Sequence, residues 1–307
     1  MIRALFAPAA DEAQERRLGF LLATGVLVIW TGFILASRAG ATGALTSWDM
    51  AALRFGVSFV ALLPALPLGV LRGVALHRIA ALAATAGYGF ALLAYAAFEL
   101  APAAHGAVLL PGALPFVTAL LAFVWLGEPI SRRRQRSLAL IAIGIVLLAG
   151  LGFFDSPGAW RGDVLFFLAT SSWAVFTILV RRWQITALQA TTSIALGCAP
   201  LYFPLWWFAL PSNIHLASWG EILFQGVYQG LLAMAFASLM YNRALIALGP
   251  VRLSLFTSVV PALAAVAAWP ILGEPLGWSG ALGVLLVTAG MILGVRGGRV
   301  DVALPRP

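Results

Sequence analysis

The chain has 307 residues, of which 62% are hydrophobic and only 10% are charged. A water-soluble domain needs roughly a quarter of its residues charged, so this composition excludes a soluble monomer. The net charge of +8 comes from arginine without any lysine, which also excludes an ATP-driven pump with a Walker A lysine.

Ten apolar runs follow one another along the chain, and each is close to the roughly 20 residues that a helix needs to cross a bilayer. The runs are continuous rather than alternating, which favours helices over the strands of a β-barrel. We therefore predict an all-α integral membrane protein with ten transmembrane helices. The predicted helices cover residues 18–38, 49–71, 79–98, 103–126, 136–154, 163–183, 189–209, 219–245, 250–272 and 278–296.

The arginines cluster in alternate connections between these runs. If the N-terminal tail is cytoplasmic, the cytoplasmic side holds fourteen arginines and the outer side three, setting aside Arg243 and Arg252 near the ends of helices 8 and 9. The positive-inside rule then places both termini in the cytoplasm, and we expect a multi-pass protein of the bacterial inner membrane. The first run lacks a clear signal-peptidase site, so we expect a retained helix. A basic stripe typical of nucleic-acid binding is missing, so we expect no nucleic-acid partner.

The chain repeats itself in two halves. The tetrapeptide Leu-Gly-Glu-Pro occurs at 126–129 and again at 272–275, and other residues align at nearly the same shift. These pairs are Tyr95 with Tyr241, Pro115 with Pro261, Glu128 with Glu274, Gly144 with Gly290, and Trp30 with Trp173. Each half has five helices, an odd number, so the second half enters the membrane from the opposite side. This predicts an inverted-topology repeat, an architecture of secondary transporters.

The boundaries of the predicted parts follow from the repeat. We expect a cytoplasmic tail at 1–17, a first five-helix repeat at 18–154, an outer linker at 155–162, a second repeat at 163–296 and a cytoplasmic tail at 297–307.

These residues carry a resemblance to a known family. A tryptophan in the first helix of each half and a Gly-Glu-Pro at the end of each fourth helix resemble EamA-type members of the drug/metabolite transporter superfamily. Within it, the chain is most similar to the bacterial YddG-type exporters of aromatic amino acids. The resemblance implies alternating access without ATP and a central pathway lined mainly by helices 1, 3, 4, 6, 8 and 9.

Charged side chains are missing from the middle of the predicted helices. The carboxylates Asp49, Glu99, Asp163 and Glu221 lie at helix ends, where we expect water to solvate them. Arg54 lies one to two turns into helix 2, and we expect its side chain to reach the outer surface. A charge inside the membrane would indicate a proton relay or an ion site. Its absence disfavours proton-coupled efflux of lipophilic cations and transport of phosphorylated solutes.

Aromatic and hydroxyl side chains remain as candidates for substrate binding. Tyr88, Leu92 and Tyr95 share one face of helix 3, since they are four and seven residues apart. Buried N–H and O–H groups of such residues need polar partners, which a water-filled cavity or a neighbouring helix can provide. The candidates are Trp30, Tyr88, Leu92, Tyr95, His105, Trp173, Tyr228, Gln229, Ser238 and Tyr241. For each of them, helix packing is the alternative explanation.

Prolines mark where helices 4 and 9 are expected to bend. Pro111, Pro115 and Pro261 each remove a backbone hydrogen bond and are the predicted hinges. Two GxxxG spacings, at Gly226/Gly230 and Gly290/Gly294, predict close helix packing.

The predicted function is a secondary transporter that exports small neutral or zwitterionic metabolites, above all amino acids including aromatic ones. The alternative is an exporter of drugs or nucleoside-like metabolites. No cluster of catalytic or metal-ligating residues is visible, so we expect no enzyme activity, no cofactor and no metal. The expected partners are a small-molecule substrate and the lipid bilayer, with the chain acting as a monomer. Facilitated diffusion and proton coupling through His105 both remain open.

Overall fold

The structure is a computed structural model that describes residues 11–126, 130–155 and 158–295. Every regular element in this part of the chain is helical. The helices are α1 (Glu12–Ala41), α2 (Ser47–Leu62), α3 (Leu76–Leu100), α4 (Ala103–Leu126, broken at Ala113), α5 (Arg132–Asp155), α6 (Trp160–Trp183), α7 (Ala187–Ala209), α8 (Trp219–Gly249), α9 (Arg252–Leu272, broken at Ser258 and Val259) and α10 (Trp278–Val295).

Local chemistry explains where several helices begin and end. Asp11 caps α1, so this helix starts at Glu12, six residues before the predicted boundary. Thr46 and Asp49 form a capping box at the start of α2, each satisfying a backbone N–H of the other. The end of α2 comes earlier than the predicted residue 71. Pro64 lies in a 3₁₀ turn there, and proline does not continue an α-helix.

Seven helices among the described residues are long and apolar enough to cross a membrane, by length and composition. They are α1, α2 with its 3₁₀ turn, α3, α4, α6, α8 and α9. The apolar part of α10, Trp278–Gly294, is shorter, and α5 and α7 are not among the seven. All ten predicted runs coincide with helices, but ten membrane crossings stay a prediction.

Within the described ranges, three helices contain π-helical segments, in which a backbone N–H bonds to the carbonyl five residues earlier instead of four. These segments are Ala83–Gly89 in α3, Val108–Gly112 in α4 and Gly226–Phe236 in α8. Such segments are rare and are frequently found at functional sites. Their side chains depart from the regular 3.6-residue spacing, so faces predicted from that spacing shift across them.

The helices pack in pairs through small residues. α1 lies against α8 and α9, α6 against α3 and α4, α2 against α7 and α8, and α5 against α10. A side chain on Gly230 would collide with the backbone of α2, and one on Gly290 would collide with the backbone of α5. The prediction that the GxxxG glycines serve close packing is confirmed at these positions.

Two apolar clusters form most of the interior. One gathers residues of α2, α3 and α7 around Phe55 and Tyr202, and the other gathers residues of α1, α3, α4, α6 and α9 around Phe98 and Phe166. The helices that hold the candidate site therefore belong to both clusters.

Parts of the predictions lie outside the described residues. They are Gly127, Glu128 and Pro129 of the first Leu-Gly-Glu-Pro copy, most of the N-terminal tail, the C-terminal tail at 297–307 and part of the linker at 155–162.

Candidate functional site

A cavity of about 160 Å³ lies among seven helices. It is lined by Trp30, Phe33, Ile34, Arg54, Phe90, Leu110, Pro111, Leu114, Trp173, Ala233, Ser238 and Val260. Helices α1, α3, α4, α6, α8 and α9, the six that the family resemblance implies for the pathway, all contribute. Helix α2 contributes in addition, through Arg54.

Aromatic rings form the walls of this cavity. The Trp30 ring stacks on Tyr241 with centroids 5.4 Å apart, and the Trp173 ring lies against Phe90 at 4.7 Å. Phe33 bridges the two sides because its ring is 6.2 Å from that of Phe90. Rings held by other rings are restricted in their rotation, so the cavity has rigid apolar walls suited to a flat or apolar solute.

The breaks in α4 and α9 adjoin the cavity. Leu110, Pro111 and Leu114 lie on both sides of the break at Ala113, and Val260 follows the break in α9 directly. Pro115 and Pro261, two of the predicted hinges, are each the second residue of the helical piece that resumes after the break. Proline tolerates that position because its missing N–H has no partner to lose there.

The prediction that the Arg54 side chain reaches the outer surface is wrong. Its side chain does not reach the surface: the residue is 5% exposed and lines the cavity. The guanidinium carbon lies 5.6 Å from the centre of the Phe33 ring. Arginine inside an apolar run is a signal for a functional group in its own right. The cavity therefore holds a fixed positive charge, contrary to the expectation that the Arg54 side chain reaches the outer surface.

Four of the predicted residues lie on the cavity: Trp30, Trp173, Ser238 and the hinge Pro111. The Ser238 hydroxyl donates to the backbone oxygen of Met234 at 2.8 Å, so its hydrogen is used within α8. Tyr241 is not itself part of the lining but supports the lining residue Trp30 from behind.

Tyr88 and Leu92 face a neighbouring helix instead of the cavity. The Tyr88 hydroxyl donates to the backbone oxygen of Cys198 in α7 at 2.7 Å, and its ring packs edge-on against Phe55. Leu92 packs against the same apolar cluster. Tyr88 lies within the π segment of α3, which changes the direction of its side chain relative to a regular helix.

Tyr95 and Gln229 belong to a buried hydrogen-bond network beside the cavity. The fully buried Tyr95 donates its hydroxyl to Oε1 of Gln229 at 3.2 Å, and the same hydroxyl lies close to Arg54. Nε2 of Gln229 donates to Ser37 and to Gln225, both at 3.2 Å. This network joins α1, α3 and α8 and holds Tyr95 in place next to the arginine.

Tyr228 and His105 also lie away from the cavity. Tyr228 donates to the backbone oxygen of Ile29 in α1 at 3.2 Å. Nδ1 of the buried His105 is 2.7 Å from Oδ1 of Asp163, which joins the start of α4 to the start of α6.

Two of the four carboxylates at helix ends, Asp49 and Asp163, are more enclosed than expected from the sequence. Asp49 is fully buried and accepts hydrogen bonds from Trp206, Ser212 and the backbone of Asn213. Asp163 is 9% exposed and pairs with His105. Protein donors therefore surround Asp49, whereas Asp163 is contacted by His105 through Oδ1 and its buried Oδ2 has no partner among the described residues.

Glu274, from the second Leu-Gly-Glu-Pro copy, joins three helices. Its Oε1 is 2.6 Å from Nε of Arg38 at the end of α1, and its Oε2 accepts from the backbone N–H of Ala103 at the start of α4. The motif thus has a structural role at the end of α9, away from the cavity.

The arrangement is suited to binding a solute. Among the described residues, no group of three or more His, Cys, Asp and Glu side chains is placed to hold a metal. The lining combines aromatic walls with a single cationic group and contains no carboxylate.

Known proteins resemble this chain in sequence and in fold. The uncharacterized transporter YyaM of Bacillus subtilis (strain 168) is 25% identical over 214 residues, which are 67% of this chain and 68% of YyaM. Protein PecM of Dickeya dadantii (strain 3937) is 28% identical over 214 residues, 67% of this chain and 69% of PecM. A solved crystal structure matches the fold with a TM-score of 0.59 at 18% identity, over 93% of this chain and 99% of the other.

The profile of the EamA-like transporter family matches two successive stretches, residues 17–150 and 160–296. The two stretches cover nearly all of the helical part of the chain and include every residue that lines the cavity. The chain therefore belongs to the EamA-like transporter family, within the drug/metabolite transporter superfamily.

Proposed function

We propose that the protein is a secondary transporter that exports small metabolites, in particular amino acids with aromatic side chains, by alternating access without ATP. In this proposal it resembles the YddG-type exporters, acts as a monomer and crosses the bacterial inner membrane ten times with both termini in the cytoplasm. The solute is bound in the central cavity and is not chemically changed.

The pattern of helix contacts supports an inverted repeat. In the repeat, each helix of the first half has a counterpart five helices later, so α1 corresponds to α6 and α3 to α8. If every helix is replaced by its counterpart, the α1–α8 contact becomes α6–α3, the α2–α8 contact becomes α7–α3 and the α1–α9 contact becomes α6–α4. All of these contacts occur. The contacts α2–α7, α4–α9 and α5–α10 map onto themselves. The breaks in α4 and α9 also lie at equivalent positions, as expected of a binding site between discontinuous helices.

The observation that carries the proposal is the aromatic-walled cavity between these broken helices. Its volume of about 160 Å³ is close to that of an apolar cavity of ~150 Å³ that takes up benzene. One aromatic ring therefore fits between Trp30, Trp173 and the two phenylalanines. Cation–π contact with the tryptophans also suits the ammonium of an amino acid.

Transport by purified protein in liposomes tests this proposal. Labelled phenylalanine should cross membranes that contain the protein faster than protein-free membranes, and Trp173→Ala should slow this transport at least tenfold because a wall of the cavity is lost. Trp207→Ala is the matched control, because Trp207 is 73% exposed and is not among the lining residues. Equal transport by both variants would remove Trp173 from the site, and no transport of any amino acid by the wild type would refute the proposal. Transport of drugs or nucleosides instead would favour the alternative substrate class.

A further inference from the structure

Arg54 is a buried cation whose charge is not balanced by any carboxylate of the described chain. The residue is 5% exposed, and its Nε and Nη1 atoms are buried without a hydrogen-bond partner. A buried guanidinium without an anion is strongly unfavourable, since it has lost its water and gained no equivalent interaction. An anion that binds to the guanidinium would offset this cost.

The neighbours of Arg54 position it without neutralising it. The Phe33 ring interacts with the cation through its face at 5.6 Å. The Tyr95 hydroxyl accepts a hydrogen bond from Arg54 while it donates its own hydrogen to Gln229, and this neutral partner leaves the positive charge unbalanced. On the other side, Gly230 of α8 packs directly against the backbone oxygen of Arg54, so the helix that carries the arginine is held closely in place.

We propose that Arg54 binds the carboxylate of the transported solute, and that the cavity selects aromatic organic acids by this group. This inference rests on the proposed transport function and makes it more specific. The ring of the solute lies between Trp30 and Trp173, and its carboxylate meets the free N–H groups of Arg54. The lining holds no acidic side chain to pair with an ammonium, so an amino group on the solute is not required.

A carboxylate fits the site better than a phosphate monoester does. A guanidinium pairs with the two oxygens of a carboxylate through neighbouring N–H groups, here Nε or Nη1 together with Nη2. A single positive charge balances one carboxylate, whereas a phosphate dianion would leave about one negative charge without a partner in an apolar cavity.

The test compares three solutes that share one aromatic ring. L-Phenylalanine has both charged groups, 3-phenylpropanoate lacks the ammonium and 2-phenylethylamine lacks the carboxylate. Binding to the purified protein is measured by quenching of tryptophan fluorescence, and transport is measured separately in proteoliposomes. Phenylalanine and 3-phenylpropanoate should bind with affinities within about tenfold of each other, and the amine should bind at least tenfold more weakly.

Substitution of the arginine supplies the second arm. Arg54→Gln should weaken binding of both carboxylates by roughly tenfold to a hundredfold and leave the amine unaffected, while Arg54→Lys should keep part of the affinity. Arg161→Gln is the matched control, because Arg161 is exposed. Size-exclusion profiles and thermal unfolding show whether the variants are folded. If Arg54→Gln does not fold, Arg54→Lys serves as the test, because it keeps the positive charge.

The outcomes separate the two proposals. If the wild type transports phenylalanine and binds the amine as tightly as the acids, or if folded Arg54→Gln weakens all three solutes equally, the inference about Arg54 is wrong and the transport function stands. Phenyl phosphate is added as a fourth solute in the binding assay. If it binds more tightly than 3-phenylpropanoate, the group that Arg54 recognises is a phosphate ester and the inference of a carboxylate is wrong. If none of the three solutes is bound or transported, the proposed function itself fails.

Discussion

At the scale of single residues, the structure separates side chains that line the cavity from side chains that support it. Trp30 and Trp173 are exposed to the cavity, whereas Tyr88 and Tyr95 use their hydroxyl groups to connect helices. All four satisfy the sequence argument that a buried Tyr or Trp needs a polar partner or a cavity. The argument leaves both possibilities open, because it does not include the direction of the side chain.

The substitution Tyr88→Phe tests this distinction. It removes the hydrogen bond to the Cys198 oxygen and keeps the ring, so we expect the free energy of unfolding to fall by about 1 kcal/mol. The rate and selectivity of phenylalanine transport should stay close to those of the wild type. Thermal unfolding and proteoliposome transport measure the two effects. A large loss of transport with unchanged stability would instead indicate that Tyr88 contacts the solute.

At the scale of helices, close contact between α8 and α2 determines where Arg54 lies. A Cβ atom on Gly230 would be 2.7 Å from Cβ of Val57 and 3.0 Å from the backbone oxygen of Arg54. Because α2 would have to move as a unit, the arginine would move with it. Gly230, which lies in the π segment of α8, therefore affects the position of the positive charge in the cavity.

The substitution Gly230→Ala is expected to destabilise the protein by about 1–3 kcal/mol through overpacking. It should also weaken binding of 3-phenylpropanoate, since Arg54 no longer lies in the same position. Gly220→Ala is the matched control on the same helix, because the nearest atom to its Cβ would be 3.8 Å away. Thermal unfolding and fluorescence quenching check both effects, and equal stability of the two variants would contradict the contact.

At the scale of the whole molecule, the distribution of arginines and the repeat predict one arrangement in the membrane. The connection between α2 and α3 should lie in the cytoplasm, and the connection between α7 and α8 should lie outside. Leu68 and Leu216 are 81% and 65% exposed in these two connections. They are therefore suitable positions for a chemical label.

Labelling of intact cells with a membrane-impermeant maleimide tests this topology. Leu216→Cys should react in intact cells, and Leu68→Cys should react only after the membrane is opened. The native chain is a low background for this experiment, because its single cysteine, Cys198, is buried. Labelling of Leu68→Cys in intact cells would reverse the predicted orientation. Equal labelling of both would contradict an odd number of crossings between them.

The sequence alone was enough for the helical fold, the approximate helix boundaries and the family resemblance, because these depend on local apolar runs, prolines and short motifs. The helix of residues 79–98 and the glycines at 226, 230, 290 and 294 show this well. It was not enough for Arg54, since both a surface position and a buried position agree with its place about two turns into α2.

What the sequence determined by itself is the class of the protein, since 62% apolar residues arranged in long runs require lipid as a solvent. Only the tertiary structure decided which polar groups face the central cavity. That choice depends on the π segments of α3, α4 and α8, which turn side chains away from the faces predicted at 3.6 residues per turn. It also depends on the close packing of glycines, which brings an arginine of α2 to the cavity and leaves its charge to be balanced there.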